Sequence, residues 1–456
     1  MQEVTRTSSA VAAPAARAPR AAAAPSSEPS AKLRGPLLFL YGLWVIILCD
    51  PQWLIAAHSS ELVLKVPTVL FGLFLLMTLA KGPRDWYPPL LAFFAYTAIM
   101  LPLAYNPNYA LTPTKQMFLY WVLTVGTLTY IRTPRQAIPF IALYFLYQNL
   151  WWAANGSIQG RVSWHPTNLN YDNFGPQMVI GIAGAYYFAM ATKSRWLKWL
   201  AWAVMGGAVV GVVATSARGA ALSAGAVLFW IWFRSPRKGM TTVAVAGAVV
   251  IVLIVGGLVY TGERRGDVTR PSFFTEMSSI FEKKEDVTED DRKVLWSLAV
   301  RVFEHHPVFG VGAENFGPWS AENFQVGTTG GAYDANPGRL YDKKIHSTYF
   351  QMLCEYGVVG GVIFITLFLD FWRRNRKLRS PDFVARWAAA TNGTMDLRQV
   401  SLGLEACLVG FATTAMFYNQ VFLPWLWAIF ALNRLLYRLA RPTGPLVLPG
   451  ARARAA

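Results

Sequence analysis

The stretch MTTVAVAGAVVIVLIVGGLVY, residues 240–260, contains no charged side chain and no proline. An α-helix needs about 20 such residues to cross roughly 30 Å of hydrocarbon. Similar apolar runs occur at 66–80 and 199–214. The chain of 456 residues is 54% hydrophobic and only 15% charged, which is too little charge to cover a water-soluble surface of that size. The sequence therefore predicts an integral membrane protein built from α-helices.

Apolar runs separated by polar breaks divide the chain into about twelve predicted membrane spans. Their approximate bounds are 36–57, 62–80, 87–104, 115–131, 136–154, 174–191, 197–214, 219–233, 240–260, 346–371, 400–417 and 420–437. We thus expect an all-α membrane fold with spans over 36–260, a long loop over 261–345 and further spans over 346–437. Two cytoplasmic tails, 1–35 and 438–456, flank them. The first tail lacks large apolar side chains and is predicted to be disordered.

Positively charged side chains alternate between the two sides of the predicted bundle. The breaks on one side carry clusters such as 234–238 and 373–379, whereas the opposite short breaks carry only Arg161 and Arg218, apart from lysines at helix edges. Because positive residues stay on the cytoplasmic side, the loop 261–345 is assigned to the outside. Most of the formal net charge of +17 then faces anionic lipid headgroups. Nucleic acid is not an expected partner.

The external loop is predicted to contain a helix of its own. Acidic residues over 282–291 precede an apolar-periodic stretch over 294–303, a pattern that favours a helix from about 290 to 304. The sequence His305-His306-Pro307 is expected to end this helix. Gly310-Val311-Gly312 is then expected to form a tight turn.

Three residues on the external side could take part in chemistry. Arg218 lies in a break of small residues, where a charge needs an anion or carbonyl partner, although a snorkelling or capping arginine explains it equally well. Arg292 begins the loop helix one turn before Trp296, although pairing with nearby acids is the commoner role. His346 lies where the loop re-enters the membrane. An imidazole, with an ordinary pKa of about 6.5, could accept a proton from a hydroxyl there or could simply anchor the interface.

These residues belong to an ordered set of short motifs. The set comprises Ser216-x-Arg218-Gly219 between two spans, Arg292-x-x-x-Trp296 followed by His306-Pro307-x-x-Gly310-x-Gly312, and His346-Ser-x-Tyr-Phe with Glu355-x-Gly357. Each motif is weak alone. In order, spacing and topology, over about 170–371, the set resembles the O-antigen ligase and polymerase superfamily.

The resemblance implies a metal-independent, inverting glycosyltransferase of the GT-C type that uses no cofactor. Such an enzyme moves a glycan from an undecaprenyl diphosphate carrier to an acceptor hydroxyl on the periplasmic side of the bacterial inner membrane. Arg218 and Arg292 match the family's two arginines on the diphosphate side, and His346 matches its histidine, the candidate general base. Guanidinium groups suit a leaving diphosphate because they are always charged and donate paired hydrogen bonds.

Other residues are weaker candidates for the site. Glu355, or a backbone carbonyl, is expected to orient the imidazole ring of His346. Arg161 and His165 lie on the external break after the fifth span, where a sugar phosphate could bind, but no motif supports them. Glu289-x-Asp291 could hold a hard cation through its oxygens. Acids at a helix start are the commoner explanation for that pair, so we predict no metal site.

The motifs leave several functions open. The leading hypothesis is a ligase that joins a carrier-linked polysaccharide to lipid A-core or a similar acceptor. A polymerase that extends a carrier-linked chain, or an enzyme that transfers glycan to protein, needs the same diphosphate clamp and hydroxyl base. A transporter or flippase would instead place charged or broken helices near the midplane of the bilayer and have small external loops. The long loop over 261–345 favours an enzyme whose partners are the lipid-linked donor, a lipid or glycan acceptor, and membrane lipids.

Overall fold

The computed structural model of the chain describes residues 34–56, 62–83, 85–163, 171–258, 264–265, 268–269, 273–278, 287–327 and 333–441. Most of the two predicted tails, residues 1–33 and 442–456, lies outside this description. The acidic positions 282–286 and His165 also lie outside it.

Helices make up almost all of the described structure. Before the long loop they are α1 Arg34–Cys49, α2 Gln52–Ala56, α3 Leu62–Lys81, α4 Pro88–Met100, α5 Pro107–Tyr130, α6 Pro134–Ala142, α7 Gln148–Gly156, α8 Tyr171–Ala191, α9 Arg195–Thr215, α10 Arg218–Arg234 and α11 Lys238–Leu258. From the loop onward they are α12 Phe273–Ser278, α13 Val287–His305, α14 Phe316–Asn323, α15 Thr348–Leu378, α16 Pro381–Thr391, α17 Leu397–Thr414 and α18 Pro424–Ala440. A two-residue antiparallel pairing in the loop joins β1 Arg264–Arg265 to β2 Val268–Thr269.

The prediction of a helical fold is confirmed for the described residues, and their apolar helices suit a membrane protein. A helix lies within each predicted span. Three helical segments are long and apolar enough to cross a bilayer by themselves: Arg195–Thr215, Lys238–Gly257 and Thr348–Leu378. Shorter apolar helices occur at Gly35–Cys49, Val66–Lys81 and Pro88–Leu103. The full number of membrane crossings stays a prediction.

The span predicted at 136–154 is a continuous rod with a wide turn inside it. A π-helical turn, Leu143–Tyr147, joins α6 to α7. Buried amides bond its carbonyl groups: Gln148 Nε2 donates to Tyr144 O at 2.6 Å, and Asn149 Nδ2 donates to Phe145 O at 3.0 Å. Because hydrocarbon offers no water to such carbonyls, these side chains keep the irregular turn tolerable inside a membrane bundle.

Helix α8 lies at the centre of the bundle and packs against α7, α9, α10 and α17. Its side chains from Phe174 to Ala189 are buried throughout. Helix α11 differs, since only 17% of its most apolar window is buried inside the protein. The exposed apolar side of α11 is therefore the face that suits lipid chains.

One end of the bundle, which we call the loop end, gathers the long loop and several breaks between helices. The Tyr105 N–H, just before α5, donates to Val311 O of the loop at 2.9 Å. The Tyr120 hydroxyl donates to Phe422 O, in the turn 415–423 after α17, at 2.7 Å. These are the breaks that the charge pattern assigns to the outside.

The opposite end, which we call the basic end, holds the Lys/Arg-rich breaks. Arg135 Nε donates to Ala390 O at 3.1 Å, and Arg434 Nε lies 2.6 Å from Asp85 Oδ2. The buried Glu405 carboxylate binds both Arg234, at 3.3 Å, and Arg379. Some of the positive charge expected to face lipid headgroups is thus paired within the protein. The hydropathy pattern did not predict helix α16 at this end, because its 11 residues are too few for a membrane span.

The long loop has a small core of its own. It is built from Leu295, Leu298 and Val302 of α13, from Phe316 beside them and from Ile345 at the end of the loop. The helix predicted at about 290–304 is confirmed and extends over Val287–His305. This core packs α13 against the described residues that follow it in the loop.

Candidate functional site

His346 lies in a short segment before α15 that is fastened to the turn 415–423. The Ser347 N–H donates to Asn419 Oδ1 at 3.0 Å, and the Thr348 hydroxyl donates to Tyr418 O at 2.8 Å. His346 itself has a φ of 55°, in the left-handed region. That conformation costs a residue other than glycine about 1 kcal/mol or more. The surrounding bonds therefore hold the histidine backbone in a conformation that it would rarely adopt alone.

Arg292 is half-buried on α13, and this helix is bound to the residue that precedes His346. Trp296 donates its indole N–H to Ile345 O at 3.1 Å, and its ring stacks on Phe350 with centroids 5.3 Å apart. Residues four apart lie on the same face of a helix. Arg292 is therefore on the face of α13 that contacts the His346 segment.

Arg218 is the first residue of α10 and is half-buried. Ser216, with a φ of 50°, ends α9 in the left-handed conformation, so the chain reverses sharply before α10. Gly219 lies against the turn 415–423, where a Cβ atom would come within 2.8 Å of Phe417. The first turn of α10 thus contacts the same turn that holds the His346 segment.

The three motif positions are joined through their neighbours in one assembly at the loop end. Helix α13 reaches the segment 345–348 through Trp296, and the turn 415–423 reaches it through hydrogen bonds. Helix α10 packs on that same turn. Arg218, Arg292 and His346 therefore lie on elements connected by direct contacts, although they are far apart in sequence.

The motif glycines have a structural role, because they let the loop pack into a break in α15. This helix is interrupted at Gly357, where φ is 61°. The freed Val358 N–H donates to Pro307 O at 2.9 Å, and the Gly312 N–H donates to Glu355 O at 3.0 Å. A Cβ at Gly357 would lie 2.5 Å from a carbonyl oxygen of the loop. Both the torsion and the close approach therefore require glycine.

The Glu355 carboxylate is 3% exposed and is bound to its own helix and to the loop. Gln351 Nε2 donates to it at 3.0 Å, and backbone groups of Glu314 and Phe316 hydrogen-bond to it. These bonds fix the loop against the first half of α15. The expected contact between Glu355 and the His346 ring stays a prediction.

A cavity of about 740 Å³ lies beside His346 at the loop end. Among the described residues, its lining also includes the charged side chains of Asp50, Glu314 and Lys344. Amide side chains and aromatic rings form much of the remaining wall. Neither motif arginine is among the described residues that line it.

Sequence reasoning predicted His346 as a site residue but missed the other charged residues of the cavity. The sequence gives one signal for Asp50, a charged residue directly after the first apolar run and before a proline. Glu314 and Lys344 carry no comparable signal, because only the folded loop brings them to the cavity. Only the structure shows that Glu314 and Lys344 line the cavity.

The break after α7 also reaches this region. Arg161 is exposed, and the preceding Gly160 lies so close to the end of α9 that a Cβ would be 2.1 Å from Ala214 O. The structure thus places Arg161 near the reversal between α9 and α10. His165 lies outside the described residues.

Within the described ranges, no group of three or more His, Cys, Asp or Glu side chains is placed to hold a metal ion. The side chain of Glu289, half of the alternative cation site, is outside the description. Cys49, Cys354 and Cys407 are buried free thiols.

Comparison with known families matches residues 203–365 to the O-antigen ligase family model. The matched segment begins in α9 and ends within α15, so it contains Arg218, Arg292, His346 and Glu355, whereas Arg161 and His165 precede it. No curated protein matches the chain. The family match agrees with the ordered motifs and with the helical fold, and over residues 203–365 it supports the O-antigen ligase superfamily as the family that this chain resembles.

Proposed function

We propose that this protein is a ligase that transfers a polysaccharide from undecaprenyl diphosphate to a hydroxyl of lipid A-core or a similar acceptor. The observation that supports it most is the assembly at the loop end: α13 bonds to the segment 345–348, and α10 packs on the turn 415–423 that holds this segment. A lipid-linked donor and a separate acceptor are what a membrane enzyme of this superfamily requires.

Arg218 and Arg292 bind the diphosphate of the donor in this proposal. Negative charge gathers on the diphosphate as its bond to the sugar C1 breaks, and two permanent cations stabilise that charge. Removing one such group from an active site typically costs about 10²- to 10³-fold in rate. The arginines thus supply charge stabilisation that many glycosyltransferases obtain from a bound metal ion.

His346 acts on the acceptor. Its imidazole takes the proton of the acceptor hydroxyl while the oxygen attacks C1 from the face opposite the diphosphate. The new C–O bond forms as the old one breaks, so the configuration at C1 inverts and the diphosphate leaves on its lipid. General-base assistance of this kind contributes about 10²- to 10⁴-fold.

The loop end faces the periplasm in this proposal, and the basic end faces the cytoplasm. The support is the concentration of Lys and Arg in the breaks of the basic end, which the positive-inside rule assigns to the cytoplasm. The apolar runs favour about twelve spans, and the resemblance to the superfamily implies a GT-C-like bundle in the inner membrane.

Reconstituted enzyme tests the proposed reaction and its independence of metal. Purified protein in lipid nanodiscs is given carrier-linked glycan and acceptor glycolipid, both extracted from cells that lack the gene. We expect transfer that persists in about 5 mM EDTA, because the proposed mechanism assigns charge stabilisation to arginines. Activity that disappears with EDTA and returns with added divalent cation would contradict the mechanism.

Surface glycolipids from cells with and without the gene separate ligase from polymerase. A ligase predicts loss of polymer from the lipid A-core, with free polymer retained on its carrier. A polymerase predicts single repeat units instead, and a normal lipopolysaccharide pattern with loss of glycoprotein points to transfer onto protein.

A further inference from the structure

We propose that the long loop dips into the bilayer at residues 306–310 and presents Val308 and Phe309 to lipid acyl chains at the loop end. The inference is independent of the transfer reaction. It adds a lipid-contacting tip to a loop that the charge pattern assigns to the outside.

The tip carries two neighbouring apolar side chains that the loop does not bury. Val308 is 50% exposed and Phe309 is 51% exposed. Neither belongs to the core that the described residues of the loop form around α13. Apolar surface of this kind is stabilised by leaving water, so the tip suits an apolar partner.

The tip continues an apolar face of α15, a helix long and apolar enough to cross a bilayer. The Val358 N–H donates to Pro307 O at 2.9 Å, and the Val359 N–H donates to Val308 O at 3.1 Å. From this contact a stripe of exposed side chains runs along one face of the helix at helical spacing: Val358, Val362, Ile365 and Leu369. A continuous exposed apolar surface marks a contact with lipid or protein, and on a membrane span the expected partner is lipid.

The position of the contact along α15 places it at membrane depth. Val358 lies 15 residues before Arg373, an exposed member of the basic cluster 373–379. At about 1.5 Å per residue the two are about 22 Å apart along the helix. The hydrocarbon is about 30 Å thick, and any tilt of the helix shortens the depth spanned further. With Arg373 at the headgroups of the basic end, Val358 and the tip bonded to it lie inside the hydrocarbon boundary of the loop end.

The backbone of the tip is bonded as membrane depth requires. Each of the four successive carbonyl groups over 306–309 accepts a hydrogen bond. The first, His306 O, accepts from the Gly310 N–H at 3.0 Å, and the middle two accept from α15. The last, Phe309 O, accepts from the Tyr96 hydroxyl of α4 at 2.9 Å. Irregular backbone is tolerated in hydrocarbon only where the protein satisfies its polar groups, so these bonds make the dip possible.

A fluorescent reporter on the tip of the full-length protein tests the lipid contact. Val308→Cys is labelled with an NBD fluorophore and reconstituted in vesicles of phosphatidylethanolamine and phosphatidylglycerol, with wild-type protein as the labelling blank because the native cysteines are buried. We expect a nitroxide on the acyl chain to quench the label about 2-fold or more better than one on the headgroup, because apolar contacts lie about 5–10 Å below the headgroups. Ser297→Cys is the control. It is exposed on the face of α13 that carries Lys293, Arg301 and Glu304, so iodide in the water should quench it and the acyl nitroxide should not.

Phe309→Cys provides a second reporter at the tip should Val308→Cys fold poorly, and the same preference for the acyl nitroxide is expected. Quenching of both tip reporters by iodide to the same extent as the control would place the tip in water and overturn the proposal. Tip reporters shielded from both quenchers, together with cross-linking between two copies of the chain through the tip cysteine, would assign the surface to a protein contact and overturn it as well.

Discussion

Gly357 and His346 both have backbone torsions in the left-handed region, but for different reasons. At Gly357 the torsion opens α15 so that the loop can bond to the break, and the missing side chain leaves room for a carbonyl group. At His346 the same torsion is imposed on the residue that we propose as the general base, beside a cavity. One motif residue therefore shapes the backbone, and the other carries the side chain that we propose for the chemistry.

Gly357→Ala tests the structural role at this scale. The added Cβ would meet the loop backbone in a torsion that alanine avoids, so we expect the free energy of unfolding to fall by about 2 kcal/mol. Thermal unfolding of the purified protein in detergent measures the change. Gly361→Ala is the matched control in the same helix, because a Cβ there meets nothing within 4 Å. Equal thermal stability of the two variants would refute the structural role.

Helix α13 is the element that the site depends on most. Its indole contact with Ile345 joins the part of the loop that carries Arg292 to the segment that carries His346. The contact with Phe350 adds a second attachment on α15. Correct docking of one loop helix thus sets the position of a guanidinium relative to an imidazole.

Trp296→Phe removes the hydrogen bond to Ile345 but keeps an aromatic ring against Phe350. A bond worth about 1 kcal/mol corresponds to roughly five-fold in the docking equilibrium, and we expect transfer to slow by up to that factor. Trp372→Phe, at the opposite end of α15 and 43% exposed, should leave the rate unchanged. Initial rates at equal protein amounts measure both variants. Wild-type activity in Trp296→Phe would show that this attachment does not position the site.

The helices could be predicted from the sequence because hydrocarbon requires long apolar runs with internally bonded backbone. The irregular features of the helices could not be predicted from the sequence. The π turn at Leu143–Tyr147 is stabilised by amides that look unremarkable in sequence, and the break at Gly357 is stabilised by a loop some 50 residues earlier in the chain. Tertiary bonding, rather than local sequence, decides both.

At the scale of the whole molecule, the two ends of the bundle differ in their charge and in the groups that they carry. The basic end contains ion pairs such as Arg434 with Asp85, and the loop end contains the histidine and its cavity. Motif order was enough to predict Arg218, Arg292 and His346 as candidates. Glu314 reaches the cavity only through folding, so no pattern in the sequence could identify it, whereas Asp50 is marked only by its place directly after the first apolar run.

Cysteine labelling tests the orientation of the molecule. The native cysteines are buried, so single exposed reporters can be added. We expect Ser297→Cys, on α13, to react with a membrane-impermeant maleimide in intact spheroplasts, and Ala389→Cys, on α16, to react only after the membrane is opened. The reverse pattern would place the loop end in the cytoplasm and contradict a periplasmic site.

The central claim is that Arg218, Arg292 and His346 act together in one transfer reaction. The direct measurement is the initial transfer rate of purified Arg218→Ala, Arg292→Ala and His346→Ala, with Arg301→Ala on α13 as the control. We expect each of the first three to reach the membrane in normal amounts and to lose about 10²-fold or more in rate, with the control unaffected. Full activity in any one of the three would contradict the proposed site.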